Sequence, residues 1–220
     1  MNDNRIASLF DDHQLVQTVE PLEEGAVILR GFGASRAPVL VEEVERIARA
    51  APFRHLVTPG GYSMSVAMTN CGRVGWVSDR KGYRYDPVDP DTGKPWPEIS
   101  AALLELAVSA AATAGFANYD PDACLINRYV PGAKLRLHQD RDEDDAWAPI
   151  VSVSLGIPAV FLWGGKRRSE RVRRLRVENG DVVVWGGAAR LVYHGIDPLK
   201  EAEHALTGAA RINLTFRKVY

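Results

Sequence analysis

The sequence predicts a mainly β (α+β) fold, namely a double-sheet jelly roll with two supporting helices that cover one sheet. Two observations support this prediction. Beyond Asn118 the chain consists of short alternating or apolar runs that Gly, Pro and Asn-Gly-Asp turns separate. Before Asn118, two longer segments carry apolar residues at helical spacing. The eight core strands are predicted at 123–129, 135–140, 150–155, 159–163, 173–177, 181–185, 191–194 and 211–217.

Length and composition favour one domain. A chain of 220 residues can bury roughly 70% of its unfolded surface without disulfides or structural zinc. We therefore predict a single domain, 1–220, in which residues 1–120 form scaffold helices and a lid and residues 121–220 form the β core. The formal charge of -1 excludes a uniformly basic chain, so any nucleic-acid contact needs a local patch. Two cysteines without a CxxC spacing and no membrane-length apolar run predict a cytoplasmic protein that contacts no membrane.

The N-terminal half predicts one strand and two helices besides the lid segment. Residues 1–20 are polar and carry no usable motif, and the apolar run 26–32 predicts the first strand. A helix follows with Pro38 in its first turn, where proline is tolerated. Pro97 is predicted to open the second helix and Gly115 to end it. Both helices are interpreted as scaffold.

The segment 58–76 alternates apolar with small or polar residues, which predicts a strand. Three aromatic residues, Trp76, Tyr83 and Tyr85, follow among Gly, Arg and Lys. They could pack on the core as part of a plain hairpin. They could also form a lid that presents flat rings to a base, because base–aromatic stacking contributes roughly 1–3 kcal/mol. The segment alone leaves both interpretations open.

His138 and Asp140 lie two residues apart in a predicted strand, so their side chains would share one face. Two His and one carboxylate form a facial site that holds Fe(II) and leaves positions open for chemistry. His194 is the candidate third ligand, because it ends a predicted strand and Gly195 lets the backbone turn. The other histidines are interpreted as surface residues; they are His13, His55 and His204.

The last predicted strand has one polar and one apolar face. Its polar face carries Arg211, Asn213, Thr215 and Arg217. A solvated edge would explain this face. Two interleaved arginines also make a fork-shaped receptor for carboxylates, to which Asn127 and Tyr129 would add hydrogen-bond donors. A small dicarboxylic acid that chelates Fe(II), such as 2-oxoglutarate, fits that receptor.

With these motifs the sequence resembles the AlkB family of Fe(II)- and 2-oxoglutarate-dependent dioxygenases, from about residue 25 to 217. The strongest matches are TPGGYSMSVAMTNCG, DACLINRYVPGAKL, LHQDRDE, APIVSVSLG, GDVVVWGG, YHGI and RINLTFR. The resemblance implies a double-stranded β-helix with an N-terminal nucleotide-recognition lid. It also implies a DNA oxidative demethylase that uses Fe(II), 2-oxoglutarate and O2. Such an enzyme removes methyl groups from 1-methyladenine and 3-methylcytosine, releasing formaldehyde and succinate.

The resemblance further implies roles for individual residues. The catalytic iron ligands would be His138, Asp140 and His194. The residues that hold 2-oxoglutarate would be Asn127, Tyr129, Arg211, Asn213 and Arg217, with Trp185 close by. The substrate-binding residues would be Thr58, Met68, Trp76, Tyr83, Asp142 and Arg168. Trp76 and His138 would sandwich the base, and the partner would be alkylated single- or double-stranded DNA, or RNA, bound by a monomer.

Two charged runs accompany these motifs. We expect Asp142 and Glu143 to favour a cationic methylated base, and Asp144 and Asp145 to form a solvated turn. The run 166–176 has seven basic residues and one acidic residue. A solvated strand face would explain it, but beside a base-flipping site we favour contact with phosphate.

Other functions are less consistent with the residues. A cupin-like hydrolase or isomerase with a different metal would leave Arg211 and Arg217 without a purpose. A non-catalytic nucleic-acid binder would not need an intact set of ligands. A 2-oxoglutarate-dependent hydroxylase of another substrate, such as a protein, would not explain Trp76 or the basic run.

Overall fold

The computed structural model describes residues 18–220, and within them it contains fourteen strands and two α-helices. The helices are α1 (Ala37–Ala50) and α2 (Ala101–Thr113). The first six strands are β1 (Thr18–Glu23), β2 (Ala26–Arg30), β3 (Arg54–Val57), β4 (Ser63–Gly72), β5 (Gly75–Asp79) and β6 (Gly82–Asp86). The others are β7 (Ala123–Tyr129), β8 (Leu135–His138), β9 (Ile150–Gly156), β10 (Ala159–Trp163), β11 (Arg173–Val177), β12 (Val182–Trp185), β13 (His194–Ile196) and β14 (Arg211–Arg217).

Two antiparallel sheets form the core, as the jelly-roll prediction requires. The large sheet has the strand order β1-β2-β12-β9-β14-β7-β4-β3, and the small sheet has the order β11-β10-β13-β8. Strands β5 and β6 form a separate two-stranded unit, which we call the lid hairpin. The mainly β architecture is therefore confirmed. Among the described residues, no helix is long and apolar enough to cross a membrane.

Both helices pack on the outer face of the large sheet. Leu40 and Leu106 belong to the same buried cluster as Leu214 and Phe216 of β14, and all four are 0% exposed. Burying each such side chain contributes roughly 1.5–3 kcal/mol. Gly115 has a φ of 91° directly after the C-cap of α2, which is the left-handed conformation that commonly ends a helix. The predicted cover of one sheet by two helices is confirmed.

Strand β14 is buried on both faces, so a solvated edge is the wrong interpretation of its polar face. It lies between β9 and β7 in the middle of the large sheet. Its apolar residues meet the helices, while Arg211 (1% exposed) and Arg217 (6% exposed) are buried on the other face, between the sheets. Because all seven residues of β14 are buried, its polar residues must find partners inside the protein.

Several boundaries differ from the sequence prediction. Helix α2 begins at Ala101 rather than Pro97, because the Pro97 carbonyl instead accepts a hydrogen bond from the Gly72 amide (2.8 Å). Strand β8 ends at His138 rather than at residue 140, and β13 begins at His194, where the prediction placed the end of a strand. Strands β1 and β3 were not predicted, whereas β5 and β6 form the hairpin that was one interpretation of the segment around Trp76 and Tyr83. His13 and the rest of 1–17 lie outside the described residues.

Candidate metal and co-substrate site

His138, Asp140 and His194 come together at one edge of the small sheet. Their ligand atoms all lie within 4.8 Å of one another. The Nε2 atom of His138 is 3.6 Å from Asp140 Oδ1, and that of His194 is 3.9 Å from Asp140 Oδ2. His138 is the register partner of His194 in the β8–β13 pair, so strand pairing brings the two imidazoles together. Asp140 follows the end of β8 and reaches the cluster from a loop.

Backbone carbonyls orient both imidazoles. The Arg136 carbonyl lies 2.9 Å from Nδ1 of His138, and the Val192 carbonyl lies 3.0 Å from Nδ1 of His194. A carbonyl only accepts, so each Nδ1 carries the proton and each Nε2 presents its lone pair. Burial lowers the pKa of His194 to about 3. This imidazole is therefore neutral at pH 7, as a metal ligand must be.

The carboxylate of Asp140 stays ionised although it is buried. Burial by itself would raise the pKa of Asp140, but the Arg217 guanidinium beside it holds that pKa well below its usual value. Arg217 donates from Nε and Nη2 to Asp140 Oδ2, at 3.1 and 2.9 Å. Two imidazoles and one carboxylate are the donor set of a facial Fe(II) site, so these residues fit the metal.

Arg211 is a buried cation with unused donors. Its Nη2 donates to Ser154 Oγ at 2.8 Å, and its guanidinium lies 5.1 Å from the centre of the Tyr129 ring. Within the described part of the chain, Nε and Nη1 of Arg211 have no hydrogen-bond partner, and neither has Oδ1 of Asn127. Buried unpaired donors are costly, and a bound carboxylate would offer hydrogen-bond acceptors and an opposing charge to this guanidinium. The pocket therefore fits the far carboxylate of 2-oxoglutarate.

Asn213 and Arg217 are more fully engaged than Arg211. The Asn213 amide donates to Ser152 Oγ and to the Val153 carbonyl, at 2.8 and 2.9 Å, and its oxygen accepts from Thr215 at 3.0 Å. Arg217 keeps one nitrogen, Nη1, without a partner among residues 18–220. Of this face, Arg211 therefore offers the most free hydrogen-bonding capacity.

One cavity of about 1090 Å³ between the two sheets joins these groups. Its volume suffices for a small co-substrate together with a base. The wall includes Trp185, whose ring lies 4.8 Å from that of His194, and Ser152, which the sequence did not single out. Every predicted ligand, co-substrate and substrate residue except Arg168 lines it: Thr58, Met68, Trp76, Tyr83, Asn127, Tyr129, His138, Asp140, Asp142, His194, Arg211, Asn213 and Arg217.

The lid hairpin closes one side of this cavity. The rings of Trp76 and Tyr83 are stacked, with centroids 5.5 Å apart and planes at 13°. Trp76 Nε1 donates to Asp142 at 2.8 Å, and the Tyr85 hydroxyl donates to Glu143 at 2.5 Å. Trp76 and Tyr83 thus line the cavity, and Trp76 and Tyr85 contact the loop that follows Asp140. Trp76 and Tyr85 also pack against buried apolar clusters, so the hairpin packs on the core as well as lining the cavity.

The two acidic residues after Asp140 differ in their surroundings. Asp142 is exposed beside the lid. The Glu143 side chain is 2% exposed and pairs with Arg190 at 2.8 Å and Arg217 at 3.2 Å. Because two guanidinium groups already oppose its charge, Glu143 is a weaker candidate than Asp142 for attracting a cationic base, and its role stays a prediction. Sequence reasoning also missed Arg190, whose only signal was a single arginine within an otherwise apolar run.

The basic run divides into two parts. Arg173 donates to the Leu22 carbonyl at 3.0 Å, Arg174 pairs with Asp197, and Arg176 pairs with Glu178 at 2.6 Å. These three residues of β11 are exposed as well, but each already has a partner within the protein. The residues 166–171 are all exposed, and Arg168 lies over the Tyr193 ring at 6.0 Å, outside the cavity wall. Any phosphate contact is therefore expected from this loop rather than from β11.

Comparisons with known proteins agree with this geometry. The model of the 2OG-Fe(II) oxygenase superfamily matches residues 25–217. The alpha-ketoglutarate-dependent dioxygenase AlkB of Escherichia coli (strain K12) is 58% identical over 210 residues, 96% of each chain. A homologue of AlkB from Caulobacter vibrioides is 46% identical over 191 residues, covering 86% of this chain and 84% of its own.

The solved structure of OsALKBH1 superposes with a TM-score of 0.80 at 26% identity, over 91% of this chain and 100% of that one. Enzymes of the matched superfamily use Fe(II), 2-oxoglutarate and O2, which the donor set and the carboxylate pocket fit. The chain therefore belongs to the AlkB family of Fe(II)- and 2-oxoglutarate-dependent dioxygenases.

Proposed function

We propose that this enzyme oxidatively demethylates 1-methyladenine and 3-methylcytosine in single- or double-stranded DNA. One observation carries the proposal: a single cavity joins His138, Asp140 and His194 to two buried arginines and to an aromatic lid. We further propose that it acts as a cytoplasmic monomer with one domain, 1–220. A cavity with an oxidising centre and a stacking surface suits a flipped base better than an extended peptide.

The protein residues have separate tasks in this proposal. His138, Asp140 and His194 hold Fe(II). When bound, the metal with O2 couples decarboxylation of 2-oxoglutarate to hydroxylation of the N-methyl group, which then leaves as formaldehyde. Arg211, with Asn127 and Tyr129 beside it, holds the far carboxylate of 2-oxoglutarate. Arg217 contacts the end near the metal through Nη1, and Asn213 keeps the floor of the pocket in place.

The lid residues and the exposed acid select the base. Trp76 and His138 sandwich it, while Thr58, Met68 and Tyr83 line the entrance. Closing the lid excludes water, which strengthens each electrostatic contact inside the cavity. Asp142 is the exposed carboxylate at the entrance, and its charge favours a cationic methylated base over a neutral one. Arg168 and its neighbours in 166–171 contact phosphate.

The decisive experiment measures product formation. The protein is loaded anaerobically with Fe(II), 2-oxoglutarate and a 1-methyladenine oligonucleotide, and air is then admitted. We expect formaldehyde and unmodified adenine in equal amounts, together with succinate. A His194→Ala variant and a reaction without 2-oxoglutarate are the controls, and an RNA oligonucleotide of the same sequence compares the two nucleic acids. Bound metal and 2-oxoglutarate without any product would refute the proposed function.

A further inference from the structure

Arg190 is a buried arginine that holds one loop at three points. It is 2% exposed and lies in the turn between the short helix Gly187–Ala189 and β13. Its Nη1 donates to the Asp140 carbonyl at 2.9 Å, and its Nε donates to the Ala148 carbonyl at 3.0 Å. Its Nη2 donates to the Glu143 carboxylate at 2.8 Å. One guanidinium thus binds the start, the middle and the end of the 140–148 loop.

This arginine joins the two segments that carry the candidate metal ligands. Asp140 begins the 140–148 loop, and His194 follows Arg190 by four residues in the chain. Two further contacts join the same segments: the Gly187 amide donates to the Trp147 carbonyl at 3.0 Å, and the Gln139 side chain donates to the Leu191 carbonyl. Arg190 supplies the charged and most deeply buried part of this connection. Its removal would leave the neutral contacts in place but weaken the link between Asp140 and the His194 segment.

Glu143 extends the connection to Arg217. The order of charges is Arg190, Glu143, Arg217 and Asp140, so that cations and carboxylates alternate. All four side chains are at most 8% exposed. Buried charges are tolerated when each is paired and hydrogen bonded, whereas removing one member leaves its neighbours unopposed. The position of Arg217 against Asp140 therefore depends on Glu143.

The lid hairpin is attached to the same group of charges. The Tyr85 hydroxyl donates to Glu143 Oε1 at 2.5 Å, and that oxygen lies 3.2 Å from Arg217 Nε. Burial raises the pKa of Tyr85 well above its usual value, so the phenol keeps the proton that it donates. A shift of the lid would thus change the contacts of Glu143, the residue directly after the exposed Asp142.

We propose that Arg190 and Glu143 are positioning residues that set Asp140 and Arg217 relative to His194, and that Tyr85 couples the lid to that setting. The inference deepens the proposed function and rests on it for the role of the lid. The role of Arg190 and Glu143 at the metal site is inferred from their contacts alone. Neither residue touches the base in this arrangement; each acts through the groups that it holds.

The test uses three conservative variants and two measurements. Arg190→Lys keeps the charge but cannot reach three acceptors, Glu143→Gln keeps the shape but loses the charge, and Tyr85→Phe loses only the hydroxyl. Arg49→Lys is the matched control, because Arg49 is exposed on α1 on the far side of the large sheet. The measurements are Co(II) affinity of the apoprotein without oxygen and the ratio of succinate to formaldehyde in turnover.

We expect Arg190→Lys and Glu143→Gln to weaken Co(II) binding by roughly 10-fold or more, as loss of groups that orient metal ligands does. Tyr85→Phe should keep the wild-type Co(II) affinity and raise the succinate-to-formaldehyde ratio by roughly threefold, the effect of one lost hydrogen bond. Arg49→Lys should match the wild type in both measurements.

Folding of each variant is checked by circular dichroism. If Arg190→Lys does not fold, the Co(II) affinity of Glu143→Gln alone tests the role at the metal site. Wild-type Co(II) affinity in the folded positioning variants would overturn the assignment of Arg190 and Glu143. An unchanged ratio in Tyr85→Phe would overturn the coupling to the lid. If the wild type itself released no formaldehyde, the proposed function would fail, while the Co(II) measurement would still decide the role of Arg190 and Glu143.

Discussion

Replacing Arg211 by methionine should strongly weaken 2-oxoglutarate binding while leaving the fold intact. Arg211 is 1% exposed, and burial lowers its pKa because few groups compensate the charge. Without a ligand this cation is a cost to the folded state, since two of its nitrogens lack partners within residues 18–220. Arg211→Met removes that cost and keeps the apolar stem. We therefore expect equal or greater stability of the protein alone.

The loss in binding follows from the hydrogen bonds that the Arg211 guanidinium would donate to the carboxylate. Each hydrogen bond to a charged group contributes roughly 1.5–3 kcal/mol, so two of them contribute about 3–6 kcal/mol. Since about 1.4 kcal/mol is a factor of ten, the Kd for 2-oxoglutarate should rise by roughly 10²–10⁴. At a ligand concentration about 100 times the wild-type Kd, the wild type gains about 2.7 kcal/mol and the variant gains almost nothing.

A thermal shift assay with Mn(II) and 2-oxoglutarate measures this difference. For a domain of this size, about 1 kcal/mol corresponds to roughly 2–4 °C, so the wild type should shift by about 5–11 °C. Arg128→Met is the matched control, because Arg128 is exposed on the other face of the adjacent strand β7. An Arg211→Met protein that still shows the full wild-type shift would refute the assignment of Arg211 to the carboxylate.

Three further outcomes are expected. Asp142→Asn keeps an acceptor for the Trp76 indole but removes the charge. About 1 kcal/mol of lost attraction should lower activity on cationic 1-methyladenine about fivefold and leave activity on neutral ethenoadenine unchanged. Equal losses on both substrates would exclude a charge effect. The second variant neutralises three loop arginines together, namely Arg167, Arg168 and Arg171. The magnitude of the slope of log K against log salt concentration should fall by up to about 3, measured by DNA binding at several salt concentrations. Cys71 and Cys124 are both 0% exposed, and burial raises the pKa of Cys124. Neither thiol should therefore react with a thiol reagent at pH 8 until urea unfolds the protein. Rapid reaction of the native protein would contradict this burial.

The sequence predicted the bounds of several strands well, but it predicted less well whether each strand face is buried or exposed. The bounds of β7, β10, β11 and β14 agree with the prediction, because alternation and turn residues are written in neighbouring positions. Alternation also separated the polar from the apolar face of β14. It could not show that both faces are buried, since that depends on helices more than 90 residues earlier in the chain.

The candidate metal site was predicted through a partly incorrect local argument. His138 and Asp140 were expected to share a strand face, but β8 ends at His138 and Asp140 lies in the following loop. The pairing of β8 with β13 and the contacts of Arg190 and Arg217 bring the three groups together. Residue spacing in the sequence cannot predict these contacts, because Arg190 and Arg217 bind residues that lie 42 to 77 positions away in the chain.

The two arginines of β14 occupy electrostatically different places, although the sequence presents them as equivalents. Arg217 faces Asp140 and Glu143, so its charge is already opposed when no ligand is present. Arg211 has Ser154 and the Tyr129 ring beside it, and neither group carries a charge that opposes it. We therefore expect a dianionic co-substrate to gain its charge-selective contact at Arg211, and Arg217 to serve mainly to keep Asp140 ionised and in place. Selectivity for the co-substrate and preservation of the metal site would thus be divided between two residues of one strand.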